Sequence, residues 1–184
     1  TLTHVAASAA WVSVYGDMGL KPTYVKAAFE YAYDELKREN VQDKITLFYN
    51  DYDTYFSVDD ELALISYINE GEEAKICGGI GMQSHVDIKR PTIEEYGNAL
   101  KAFINAGLEV QITELDITIN FDTDDTDGRT PTYAYKNEKE TDADQAAFTK
   151  DFIKQIVDIQ KNRDKTIKPD ELNATFRRSE ERRV

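Results

Sequence analysis

The chain has 184 residues, with 22 Lys plus Arg against 35 Asp plus Glu, a formal net charge of −13, 41% apolar residues and 11% aromatic ones. That length suits one ordinary soluble domain, able to bury about 70% of the surface of its unfolded chain. The acidic balance, with no basic stripe, argues against nucleic acid or an anionic membrane as partner. No apolar run approaches the roughly 18 residues that span a bilayer, and Thr1 to Ala10 does not read as a secretory leader. A single cysteine, Cys77, excludes an intrachain disulfide and a cysteine zinc site, leaves the redox compartment open, and reads as a small core residue.

Helical and strand signals alternate along the chain. From Pro22 to Arg38 the residues Val25, Ala28, Phe29, Ala32 and Leu36 recur at helical spacing, which predicts an amphipathic helix burying those five. Thr46 to Tyr49 is a short apolar run with polar flanks, as a buried strand requires. A second helix opens at Ser57 or Asp59, turns Val58, Leu62, Ile65 and Ile68 inward and stops at Gly71. Gly78 to His85 reads as a glycine-rich strand. Pro91, Thr92 and Glu95 then form a capping-box start for a helix burying Ile93, Tyr96, Leu100, Phe103 and Ile104 before Gly107. Glu109 to Ile117 is the strongest strand signal. After a long polar loop, Ala143 to Asn162 is the longest helix, with Phe148, Phe152, Ile153, Ile156 and Ile159 on its buried side. Strands separated by helices imply parallel crossovers and an α/β fold, open or closed into a barrel.

In such a sheet the reacting groups sit at the carboxyl ends of the strands. Three ends carry polar residues: Asn50, Asp51 and Tyr52; Gln83 and His85; Glu114 and Asp116. Strand alternation predicts that Gln83 points with His85, and Glu114 with Asp116, Val110 and Ile112. A carboxylate carried on an apolar column is costly to desolvate without partners, so its presence points to function.

The stretches LFYNDY (Leu47 to Tyr52), GIGMQSH (Gly79 to His85) and EVQITELDI (Glu109 to Ile117) resemble the fifth, sixth and seventh strand motifs of glycoside hydrolase family 10, the endo-1,4-β-xylanases. Ala10 to Tyr33 is similar to that family's helix after the fourth strand. The resemblance implies part of a (β/α)8 TIM barrel, from the helix after strand four through helix seven, spanning residues 1–161, with 162–184 a divergent tail. It implies retaining hydrolysis of xylan or xylo-oligosaccharides, without cofactor or metal, by a secreted protein. Glu114 would be the nucleophile, His85 and Asp116 its orienting partners, and Asn50, Tyr52 and Gln83 substrate-binding residues. The family's acid/base Glu lies in a Trp-Asp-x-x-Asn-Glu motif ending strand four, whereas here the first acidic residue is Asp17 and the first Glu is Glu30. The tryptophans of the eighth-strand motif have no counterpart either, since the only Trp is Trp11. The expectation is therefore a nucleophile half lacking the acid/base strand, and the alternative a non-catalytic chain with a partial xylan-binding groove.

The remaining motifs read plainly. Asp122, Asp124, Asp125 and Asp127 do not have EF-hand spacing and suggest a solvated loop rather than a calcium site. Arg177, Arg178, Arg182 and Arg183 are half neutralised by Glu180 and Glu181, which favours a disordered tail, poorly packed or helical on the surface, over an anion site. Asn173 with Thr175 forms a glycosylation sequon.

Overall fold

The computed structural model describes residues 9–119 and 140–166. Helices α1 (Ala9–Tyr15) and α2 (Thr23–Arg38) precede strand β1 (Phe48–Asp51) and helix α3 (Val58–Ile68). Strands β2 (Gly79–Met82) and β3 (His85–Asp87), helix α4 (Ile93–Asn105), strands β4 (Glu109–Ile112) and β5 (Asp116–Thr118), and helix α5 (Asp142–Thr166) follow. Strands β1, β2 and β4 form a parallel sheet in that order, with Asn50 in register with Gly81 and Gly81 with Gln111. Strands β3 and β5 form a second parallel pair in which His85 faces Asp116.

The two ladders are one sheet bent in the middle. Thr113 N–H donates to Met82 O at 3.0 Å, Glu114 N–H to Gln83 O at 3.1 Å and Asp116 N–H to Ser84 O at 3.3 Å, so pairing carries across the gap. The expected strands Gly78 to His85 and Glu109 to Ile117 are thus each broken in two. The expected strand at Thr46 to Tyr49 begins two residues later and runs through Asn50 and Asp51.

One face of the sheet packs on helices. Tyr49, Ile80 and Met82 are buried there with Leu64, Ile65 and Ile68 of α3, Tyr96, Leu100 and Phe103 of α4, and Phe152 and Ile159 of α5; Val110 and Ile112 are partly buried beside them. The capping box of α4 forms as its sequence requires: Thr92 Oγ1 accepts the Glu95 N–H at 3.1 Å and Glu95 accepts the Thr92 N–H at 2.8 Å. Helix α5 starts on a similar exchange between Thr141 and Asp144 and runs four residues past Asn162, to Thr166. Its inward stripe is Phe148, Phe152, Ile156 and Ile159; Ile153, expected inside, is 40% exposed because it lies about 100° round the helix from Phe152. Helix α2 corrects the sequence in the same way. It packs through Val25, Phe29 and Tyr33, four residues apart, and leaves Ala28 and Ala32 exposed. Residues 120–139, with the acidic loop, and 167–184, with the arginine-rich tail and the sequon, lie outside the described residues. Among the described residues no helix is long and apolar enough to cross a membrane.

A buried carboxyl sits in the helix-facing layer. Glu61 of α3 is fully buried, its Oε2 has no hydrogen-bond partner among the described residues, and its Oε1 accepts weakly from Ser57 Oγ at 3.4 Å. Burial, then the charge of neighbouring Asp51, pushes its pKa up to about 8 from 4.5. Folding therefore favours neutral Glu61, and this group removes stability as pH rises from about 4.5 to about 8. Glu61→Gln is expected to unfold in urea much like the native chain at pH 5, and to be more stable by a few kcal/mol, roughly 2 to 5, at pH 8.5. Equal pH dependence in the two chains would show that Glu61 ionises freely.

Candidate active site

The strand breaks create the site. Ser84, between β2 and β3, has φ +64°, a left-handed conformation that costs a non-glycine residue about 1 kcal/mol or more. The turn is held from below: buried Ser84 Oγ donates to Met82 O at 3.0 Å and stands 2.8 Å from the Tyr96 hydroxyl, which donates to it. Tyr55 fixes the next residue, since its hydroxyl lies 2.9 Å from both His85 O and Asp53 Oδ1. Burial and then the charge of Asp53 hold the Tyr55 phenol well above its ordinary pKa, so it remains a donor. Between β4 and β5 the chain bends at Glu114.

Three ionisable side chains meet at these breaks. His85 Nδ1 is 2.6 Å from Asp116 Oδ2, and its Nε2 is 3.4 Å from Glu114 Oε2. The hydrogen bond to Asp116 is the main cause of a His85 pKa above its ordinary value, and the charges of Asp116 and Glu114 add to it. On the other side of the carboxylate, Asn50 Nδ2 donates to Glu114 Oε1 at 3.1 Å. Glu114 is thus held at both oxygens, yet 46% of its side chain is exposed, so one lobe of the carboxylate is open to an incoming group.

The alternation reading fails at one place. Val110 and Ile112 pair with buried Ile80 and Met82 and face the helices, whereas Glu114 meets Asn50, whose register partners are Gly81 and Gln111. The bend moves Glu114 to the opposite, open face of the sheet, away from the apolar column it was expected to continue. Gln83 follows Gly79 and Gly81 in β2, and its backbone joins the three strand ends by donating to Asp51 O at 3.0 Å and accepting from Glu114 N–H at 3.1 Å. Tyr52 lies at the rim, 39% exposed, with its N–H bonded to Asp51 Oδ1 at 2.8 Å. Sequence reasoning passed over Tyr55, Ser84 and Thr113, and placed Tyr96 in the core without its bond to the turn. Their contacts depend on a turn and on register, which periodicity does not report. Gly81 was visible as part of a glycine-rich strand, but its role was not: a Cβ there would overlap the Asn50 carboxamide.

Among the described residues no group of three or more His, Cys, Asp or Glu is arranged to hold a metal ion. A concavity of about 920 Å³ lies at the amino ends of the strands, lined by residues including Leu62, Tyr67, Glu72, Lys75 and Leu108, and none of the site residues borders it.

Parallel strands with helices on one face and polar side chains gathered at their carboxyl ends define an α/β fold, part of a (β/α)8 barrel by family and structural likeness. The chain belongs to glycosyl hydrolase family 10, whose family model matches residues 6–168. It is 48% identical over 119 residues to endo-1,4-beta-xylanase A of Butyrivibrio fibrisolvens, covering 65% of this chain and 28% of that protein. Among solved structures it resembles the CBM22-1 and GH10 modules of the Clostridium thermocellum N-terminal endo-1,4-beta-D-xylanase 10B, complexed with xylohexaose, at 30% identity and TM-score 0.57, covering 83% of this chain and 25% of that one. A family 10 protein from Paenibacillus barcinonensis shares the fold at 22% identity and TM-score 0.61, covering 90% and 43%. The chain thus spans about a quarter to less than half of these relatives.

Because the hydrogen bond to Asp116 is the larger influence on His85, Asp116→Asn should lower the His85 titration midpoint further than Glu114→Gln does, as read by NMR of the imidazole. The raised folded value also means that this cluster stabilises the fold below the unfolded histidine value near 6.5, a contribution lost as pH rises through the folded midpoint. A larger drop in Glu114→Gln would reverse the assignment of Asp116 as the main partner.

Proposed function

We propose that this chain carries the nucleophile half of a retaining endo-1,4-β-xylanase acting on xylan or xylo-oligosaccharides outside the cell. The observation that carries this reading is the Glu114 carboxylate, held at Oε1 by Asn50 and faced at Oε2 by His85, at the carboxyl end of a parallel strand. The relatives' names supply the substrate class.

In this reading the Glu114 oxygen attacks the anomeric carbon as the bond to the leaving sugar breaks. The leaving oxygen takes a proton from a general acid, and a glycosyl ester on Glu114 remains. A water, giving its proton to the same second carboxyl now acting as base, then attacks the ester and frees Glu114. His85, held by Asp116, faces the nucleophile at one oxygen while Asn50 holds the other, which keeps it in place. Gln83 and Asn50 line the cleft beside it, and the exposed Tyr52 ring offers a face to a sugar. The acid/base role is assigned to no carboxylate of these 184 residues, because retaining chemistry needs a second carboxyl about 5 to 5.5 Å from the nucleophile and the matching motif has no counterpart here.

General acid assistance is typically worth about 10² to 10⁴ in rate, so the isolated chain should turn over xylan little or not at all. An aryl β-xyloside with an activated leaving group needs no proton, and should release its phenol in an amount approaching one equivalent per chain, abolished in Glu114→Ala. Absence of that release would reject Glu114 as nucleophile and favour the alternative of a non-catalytic partial groove, which would still bind xylohexaose. Robust xylan turnover lost in Glu114→Ala would instead place the acid among this chain's own carboxylates.

A further inference from the structure

We infer that Thr113 is a positioning residue for Glu114, acting through the Asn50 carboxamide, which it ties down above the side-chain-free Gly81. The functional meaning rests on the reading of Glu114 as nucleophile; the geometry does not.

The Asn50 amide is used at both ends. Its Oδ1 accepts from Thr113 Oγ1 at 2.8 Å while its Nδ2 donates to Glu114 Oε1 at 3.1 Å. Those partners are adjacent in sequence just past the end of β4, the strand two places away, β1 and β4 being separated by β2. Neighbouring strands lie about 4.8 Å apart, so the reach from β1 to β4 is nearly 10 Å, too far for an asparagine alone. The contact exists because Asn50, Thr113 and Glu114 meet over the middle strand at Gly81, where a Cβ would overlap the carboxamide. Thr113 is itself exposed, so its hydroxyl is not needed to satisfy a buried neighbour.

The two bonds answer different needs. The bond from Nδ2 to Glu114 is charge-assisted while Glu114 is a carboxylate, and weakens once that group is a neutral ester, since hydrogen bonds to ions are roughly twice as strong as neutral ones. The bond from Thr113 to Oδ1 does not depend on the charge of Glu114. It keeps the amide nitrogen aimed at the same place in both states, so the ester's remaining oxygen meets a donor already in position. Without it, a half-buried asparagine is held at one end only and is free to leave its rotamer as the charge disappears.

The test uses the uniformly ¹⁵N-labelled 184-residue chain. The Asn50 side-chain amide signal, assigned from its absence in Asn50→Asp, is followed from pH 8 to pH 3. In the native chain its shift is expected to move with protonation of Glu114, and this movement should vanish in Glu114→Gln. Thr113→Val, which removes the hydroxyl and keeps the shape, is expected to cut the movement to less than half; Thr113→Ser should restore it. Thr113→Ala gives the same reading should the valine disturb the fold, which backbone amide spectra will show. A movement as large in Thr113→Val and Thr113→Ala as in the native chain would overturn the inference, as would a native signal indifferent to Glu114→Gln. Phenol release from the activated xyloside is scored separately. A chain that keeps the Thr113-dependent signal but releases no phenol retains this positioning and loses the nucleophile assignment. One that releases phenol without the signal does the reverse.

Discussion

The middle strand of this sheet carries no side chain on one face at two successive positions, and the open side of the molecule depends on that gap. Phe48 lies where a Cβ at Gly79 would be, and the Asn50 carboxamide where a Cβ at Gly81 would be. Asn50 of β1 thereby reaches Thr113 and Glu114 just past the end of β4, although β1 and β4 are not neighbours in the sheet. An alanine at either position would meet an aromatic ring or a hydrogen-bonded amide and force it to shift. The glycines serve here less for backbone freedom than for close approach across a sheet.

On the opposite face a row of aromatic rings carries packing to the strand breaks. Phe148 and Phe152 of α5 stack with centroids 5.7 Å apart, Phe152 meets Tyr96 of α4 at 4.5 Å, and Tyr96 meets Tyr55 at 5.8 Å. The row ends in two hydroxyls that bond the turn itself, Tyr96 to Ser84 and Tyr55 to the His85 carbonyl. Such rings bury large areas and favour definite mutual geometries, so they hold a left-handed serine that local preference would not choose. The fold thus links the placement of α5, remote in sequence, to the orientation of His85. Each apolar contact is generic, and the polar termini make the row specific.

The face that bears Asn50, Thr113 and Glu114 is polar and partly exposed in this chain, while the helix-facing side is mostly apolar and closed. Glu109 and Gln111 on the same face are exposed as well. Glu61 departs from this division, a carboxyl in the apolar layer whose pKa is raised by burial and then by the charge of Asp51.

The sequence by itself determined the order of helices and parallel strands, the capping box at Thr92, the inward stripes around Tyr96 and Phe152, and the three polar strand ends. These are local patterns: a period of 3.6 or 2, a cap, a polar residue where an apolar run stops. The resemblance of three short motifs to a known family then named Glu114, His85 and Asp116, which spacing alone could only nominate. Tertiary structure decided the rest. It turned Ala28, Ala32 and Ile153 outward, because which half of an apolar stripe is buried depends on the neighbour the helix packs against. It cut two strands at Ser84 and Glu114, so the alternation that placed Glu114 beside Val110 and Ile112 stopped one residue too soon. It also brought Thr113, Asn50 and Gly81 together across three strands. Register between segments more than 60 residues apart is set by the packing of the whole sheet, and no local pattern encodes it.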